Sequence, residues 1–324
     1  MDRRSFIGAI ACGALVTPFA RGQTAGKIYR IGIIEAIPAD ENAANLDGLR
    51  RGLRELGYVE GRNLVIEYRS ADGRAERFPA LASELVRMNV DLIVTRGTPA
   101  TSAAKRATAT IPVVMATMGD PRTNVASYAR PGGNVTGVTT FSTELTSKRV
   151  ELLKEIVPNL SRVALLHNMG NPAAPPEWEQ VKAAARALGL RADLLDVRSE
   201  RDLGRAFDVA ARQRDDALIV GLDGFTQMHR NRIVDWAARN RVPVAYPSRE
   251  FVQAGGLFAY AVNYPELYFR FASFADKIFK GAKPGDLPVE QPTRLELVVN
   301  ARAASALGLA IPQSILLRAD EVIR

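Results

Sequence analysis

The chain has 324 residues, 47% apolar and 24% charged, which is the balance of an ordinary folded protein with length for two domains. One cysteine excludes a disulfide framework and any multi-cysteine metal centre, and two histidines, His167 and His229, leave little material for a histidine-based one. The formal charge of +8 raises nucleic acid as a partner, but the arginines are spread along predicted helices, as at Arg50, Arg51 and Arg54. The clustered basic stripe and aromatic platform that nucleic acid requires are missing, so no nucleic-acid partner is expected.

The first residues have the layout of an export signal. Arg3-Arg4 form a basic start, Phe6 to Val16 is an apolar run, and small residues follow around Ala20. Residues 1–22 are therefore assigned to a signal peptide and the mature protein to the periplasm. The string Arg3-Arg4-Ser5-Phe6-Ile7 resembles a twin-arginine signal, with the general secretory route as the alternative. Cys12 lies inside the apolar run and leaves with it, which suits an oxidising compartment. No stretch reaches the roughly 18 uninterrupted apolar residues of a membrane-spanning helix.

Beyond the signal, short β-rich runs alternate with amphipathic stretches. Strands are predicted at Ile28–Ile34, Leu64–Tyr68, Leu92–Thr95, Val113–Met115 and Val135–Thr140. Between them Leu46, Leu49, Leu53 and Leu56 recur at helical spacing up to Gly57, a second helix carries Leu81, Leu85 and Met88, and a short one starts at Pro99. The same grammar restarts with a helix holding Leu152, Leu153 and Ile156. Strands follow at Val163–His167, Ala192–Val197, Ala217–Leu222 and Val242–Tyr246 with helices between. Two such runs predict an α/β fold of two doubly wound parallel-sheet lobes. The tail adds a strand (Leu257–Val262), a helix (Glu266–Phe279) and a strand (Leu295–Asn300). It is too short for a third domain, so it completes the two lobes and the chain crosses between them more than once.

Ligands of open parallel sheets bind beyond the carboxyl ends of the strands, where loops and helix starts converge. The loops placed there nominate Glu35, Thr98-Pro99-Ala100, Asp120, Asn168, Asp223 with Phe225, and Tyr246; Tyr260 on the tail strand joins the aromatic candidates. Thr98 fits an N-cap and Pro99 the first helical position, leaving backbone N–H groups for a carboxylate or phosphate, with plain capping of a short helix as the alternative. Glu35 and Asp120 suit a ligand ammonium, or serve as buried or turn-capping carboxylates. Asp223 before Gly224 equally makes an Asx turn, and Phe225, Tyr246 and Tyr260 equally pack in cores.

No GxGxxG follows a strand, and there is no GxxxxGK[ST] loop and no GxSxG elbow. His167 ends a strand and is a candidate base, but no serine–histidine–acid order accompanies it. No cofactor, no metal and no catalytic residue are expected.

Specific strings add to this reading. Gly57–Arg69 (GYVEGRNLVIEYR), Pro79–Ala100 (PALASELVRMNVDLIVTRGTPA), Ile111–Pro121 (IPVVMATMGDP), Ala129–Thr139 (ARPGGNVTGVT), Tyr246–Tyr260 (YPSREFVQAGGLFAY), Lys277–Asn300 and Ala306–Ile323 closely resemble the ABC transporter substrate-binding protein family that includes tryptophan- and tyrosine-binding receptors. The resemblance covers the mature chain in order. It implies a type I periplasmic-binding-protein fold with a three-crossover hinge, the first lobe taking 28–139 with about 264–288 and the second 140–262 with about 293–324. It also implies non-catalytic capture of a small carboxylate-bearing molecule, an aromatic or branched amino acid among the candidates, by a monomer that delivers it to an inner-membrane ABC permease. On the resemblance, Thr98 and its neighbours take the carboxylate, and Glu35, Asp120 or Asp223 takes the amine. The chain departs from the family pattern at Asp223-Gly224-Phe225-Thr226 and at Ala261-Val262-Asn263-Tyr264, where a proline and a glycine–proline pair are usual. A sensory module for a membrane signalling partner and a two-lobe enzyme using Asp120 or His167 are the competing readings.

Overall fold

The computed structural model describes residues 27–115, 124–140, 142–213, 215–292 and 294–324. The expected signal peptide, with Cys12, and the loop carrying Asp120 lie outside the described residues.

Strands β1 (Tyr29–Glu35), β2 (Leu64–Ser70), β3 (Leu92–Thr95), β4 (Val113–Met115) and β5 (Val135–Gly137) form a wholly parallel sheet in the order β2-β1-β3-β4-β5. The central strands are continuous apolar runs because helices cover both faces of the sheet. Helix α1 (Ala43–Glu55) lies on one face; α2 (Phe78–Arg87) and α3 (Thr98–Ala107) lie on the other, where Leu85, Ala100 and Ala104 bury Ile34, Ile93 and Val113.

After β5 the chain enters a second sheet. It contains β6 (Arg162–His167), β7 (Arg191–Asp196), β8 (Ala217–Val220), β9 (Val244–Tyr246), β10 (Phe258–Val262), β11 (Leu295–Asn300) and β12 (Glu321–Ile323), in the order β12-β11-β10-β9-β8-β6-β7. Its helices are α4 (Ser142–Ile156), α5 (Ala174–Ala187), α6 (Glu200–Gln213), α7 (Gly224–Met228), α8 (Arg230–Asn240) and α9 (Arg249–Gln253). The parallel part repeats the winding of the first lobe strand for strand. β10 and β11 are antiparallel, so this edge is mixed where a purely parallel sheet was expected. The short α7 and α9, and the terminal α11 (Ala301–Ala306), α12 (Gln313–Arg318) and β12, were not predicted, since three to six residues hold too little periodicity to read.

Between β10 and β11 the chain returns to the first lobe as α10 (Tyr264–Phe279), whose Leu267, Tyr268 and Phe271 join Leu46, Leu49 and Leu53 of α1 in one core. Gly48 and Gly52, one turn apart on α1, permit this contact. A Cβ at either position would sit 2.2 or 2.5 Å from the carbonyl oxygen of Pro265 or Phe269. Two of the passages between lobes run side by side: Thr139 N donates to the Glu290 carbonyl at 3.0 Å and Glu290 N to that of Gly137 at 2.8 Å.

Among the described residues no helix is long and apolar enough to cross a membrane, and no group of three His, Cys, Asp or Glu side chains is placed to hold a metal.

Candidate functional site

Each sheet reverses its direction of winding beside its first strand, between β1 and β3 in one lobe and β6 and β8 in the other. Such switch points open a crevice at the strands' carboxyl ends. Here the two crevices face each other. Glu35, ending β1, and Arg96, following β3, meet Leu222, Asp223, Gly224 and Gln227 beyond β8 around a cavity of about 40 Å³, and an adjoining one of about 30 Å³ extends to Gly73, Phe78 and Phe225. The lobes touch around these spaces. Arg230 pairs with Glu41 at 2.7 Å and Arg96 with Glu250 at 3.8 Å, and a Cβ on Gly224 would lie 2.6 Å from that of Ala36.

Arg96 is the central group. Its side chain is 8% exposed, its guanidinium lies 4.1 Å from the Tyr264 ring centre, and both terminal nitrogens are buried without a hydrogen-bond partner. Burial opposes its charge, but Glu35, Tyr264 and Glu250 outweigh that cost and hold the guanidinium above its ordinary value. Further polar atoms nearby are also buried and unpaired: the Thr98 hydroxyl, Gln227 Nε2 and Glu250 Oε2. Buried polar groups are nearly always paired within a fold, so a set of unpaired ones at one crevice makes it the candidate site.

The Glu35 carboxylate, by contrast, is already used. It accepts hydrogen bonds from Tyr268 Oη, Asn42 Nδ2 and the Ala36 N–H. Burial pushes its pKa up against the pull of Arg96 and these donors. Asp223 is likewise spent. It caps α7 through Phe225 N at 2.8 Å and accepts from Asn171 at 2.8 Å and Asn168 at 3.3 Å.

Comparison with known proteins agrees with this two-lobe fold. The family model for ABC transporter substrate binding protein matches residues 30–323. The chain belongs to this substrate-binding protein family. A domain protein from Vibrio cholerae superposes with TM-score 0.85 at 28% identity, covering 91% of this chain and all of that one. The ABC domain from Streptococcus pneumonia solved in complex with L-Trp superposes with TM-score 0.84 at 27% identity over 92% of this chain and all of that one. A tyrosine-binding protein of Clostridioides difficile is 24% identical over 285 residues, 87% of this chain and 82% of its own length.

In this substrate-binding protein the predicted residues divide. Glu35, Pro99, Asp223 and Phe225 line the interlobe cavities, and Asn168 braces Asp223 from behind. Thr98 is not the N-cap. Gly97 takes that place with φ +85°, a conformation that favours glycine, so Thr98 and Pro99 become the first helical residues. Ala100 packs into the first lobe's core. Tyr246 points away from the cleft, stacked on Phe251 at 5.1 Å, and Tyr260 lies in the packed layer, its carbonyl accepting from Arg149 Nε at 3.0 Å. His167 is fully buried: its Nε2 meets Glu177 at 3.1 Å, beneath the cleft and not in it. Arg96, Gln227 and Glu250 were missed. A cation placed immediately after a central strand is the available signal for Arg96; Glu250 lies in the first turn of the short α9, which carries no readable periodicity.

Proposed function

We propose that the interlobe cleft captures a small zwitterionic amino acid and that the closed protein presents it to an ABC permease in the periplasm. Arg96 carries the reading. Its two terminal guanidinium nitrogens, which make no hydrogen bond, suit the two oxygens of a carboxylate, the Thr98 hydroxyl and Gln227 amide add donors, and the free oxygen of Glu250 suits the ammonium. The relatives that bind L-Trp or tyrosine support an aromatic side chain. Such a ligand exceeds cavities with room for only a few waters, so the lobes must separate to admit it and reclose around it. The hinge is proposed at the passages around 138–142, 260–263 and 289–293, with 28–139 and 264–288 moving against 140–262 and 293–324.

The test is calorimetry on protein stripped of ligand by unfolding and refolding. L-Trp, L-Tyr and L-Leu are compared with tryptamine and indole-3-propionate, which lack the carboxylate or the ammonium. At least one amino acid is expected to bind 1:1, with each truncated analogue at least tenfold weaker. Equal binding of the analogues, or no amino acid binding at all, overturns the reading.

A further inference from the structure

A large cavity lies outside the cleft. About 460 Å³ in volume, it lies on the second lobe beside the amino ends of β9 and β10, whereas the cleft forms at the strands' carboxyl ends, and no residue lines both. Its walls are apolar, built from Val234 and Ala237 of α8, Val244 of β9, Leu257 just before β10, Val252 of α9 and Ile323 of β12. A volume of this size with such walls is typical of small-molecule sites, which span roughly 300–1,000 Å³ and add a few polar groups to fix orientation.

Two polar features interrupt the apolar lining. Tyr246 is 1% exposed and lines the cavity, its hydroxyl makes no hydrogen bond to another described residue, and burial of the ring raises its pKa. Gly256 presses against the edge of its ring, where an added Cβ would come within 2.4 Å, so the ring is fixed in place facing the cavity it lines. At the rim, Arg302 makes no ion pair among the described residues. A phenol opening on an apolar chamber and an unpaired cation at its mouth match a molecule with an apolar body and one anionic end.

We propose that the second lobe carries a separate site for a small apolar carboxylate, with Tyr246 in its wall and Arg302 at its mouth. The site is independent of the interlobe cleft and does not rest on the amino-acid reading.

Decanoate is the probe, titrated by calorimetry into the full chain. One equivalent is expected to bind, with decan-1-ol at least fivefold weaker because it lacks the charge. Arg302→Gln is expected to weaken decanoate at least fivefold and Tyr246→Phe measurably, while Ala306→Trp, which fills the mouth from an exposed position, removes binding. Arg96→Met, which disables the cleft, leaves decanoate unaffected, and the melting temperature of Ala306→Trp reports that it folds. Failure to bind decanoate at millimolar concentration, binding that survives Ala306→Trp in a folded protein, or binding lost in an Arg96→Met protein that its melting curve shows to be folded overturns the proposal.

Discussion

Arg230 of α8 donates to Glu41 at 2.7 Å, so that a cation of the second lobe is held by a carboxylate of the first at the edge of the cleft. The Arg230 side chain is 14% exposed and Glu41 32%, which places the pair between a buried and a surface ion pair. A contribution of about 1 kcal/mol to the closed form is reasonable for such a contact. Arg230→Ala is therefore expected to favour separated lobes, with a larger radius of gyration by X-ray scattering and a roughly fivefold weaker ligand affinity. Raising the salt concentration acts in the same direction on the intact protein and not on the variant. An unchanged radius and affinity would remove this pair from the closure mechanism.

Arg96 makes a different demand. Lysine keeps a charge at this position but loses the planar fork, whereas methionine loses both and leaves Glu35 buried beside no cation. Truncating one partner of a buried charge contact costs about 2–5 kcal/mol, so Arg96→Met should weaken a carboxylate ligand by a hundredfold or more and also lower stability. Arg96→Lys, which retains the charge facing Glu35, should fold normally and lose about tenfold. Affinities within twofold of the parent in Arg96→Lys would show that no fork contact exists.

The contrast between Arg96 and Tyr246 explains how far the sequence could be read. Strand and helix alternation located both sheets, because continuous apolar runs such as Leu92–Thr95 have few other meanings, and it located the loops at the carboxyl ends. Which member of a loop turns inward depends on backbone angles that a string of letters does not display. Gly97 at φ +85° shifts the start of α3 by one residue, turning Thr98 from cap into helix, and lets Arg96 point inward. Tyr246 ends a strand as plausibly as any candidate, yet the short β9 directs its ring against Phe251 and Gly256. The role of Asp223 was left open between ligand contact and turn, and the geometry of α7 uses it as a cap.

Beneath the cleft, His167, Glu177 and Arg149 form a buried charged group, with Thr146 donating to Glu177. Burial opposes charge on His167, but Glu177 outweighs it and raises the imidazole pKa; burial likewise works against the Glu177 charge, and His167 with Arg149 outweighs it and lowers the carboxyl pKa. The signs follow directly. Stability from His167 is fully present below its unfolded pKa of about 6.5 and is lost as pH rises through its raised folded value; that from Glu177 is present above about 4.5 and is lost as pH falls through its lowered one. Glu177→Gln should cost about 3–5 kcal/mol near pH 6, because it leaves Arg149 and His167 without their counter-charge. It should also flatten the alkaline decline, since His167 is no longer held protonated. Urea unfolding at pH 5, 7 and 9 measures both effects, and a variant with the parent's pH slope would contradict the assignment.

Gly224 supplies a test of closure that leaves the charged groups of the cleft, Arg96 and Glu250, unchanged. It opens α7 in an ordinary helical position, so alanine there is favourable locally, but the added Cβ would meet Ala36 Cβ at 2.6 Å across the cleft. Overpacking of this kind costs about 1–3 kcal/mol, and the whole cost falls on the closed form because the two residues separate when the lobes do. Gly224→Ala should therefore expand the protein by scattering and weaken the ligand by roughly five- to 150-fold, with unfolding of the separate lobes unchanged. Removing the opposing methyl, in the double variant Gly224→Ala with Ala36→Gly, restores the space and should restore affinity to within a few-fold. If the double variant binds no better than Gly224→Ala alone, the loss arises within α7 and not from the meeting of the lobes.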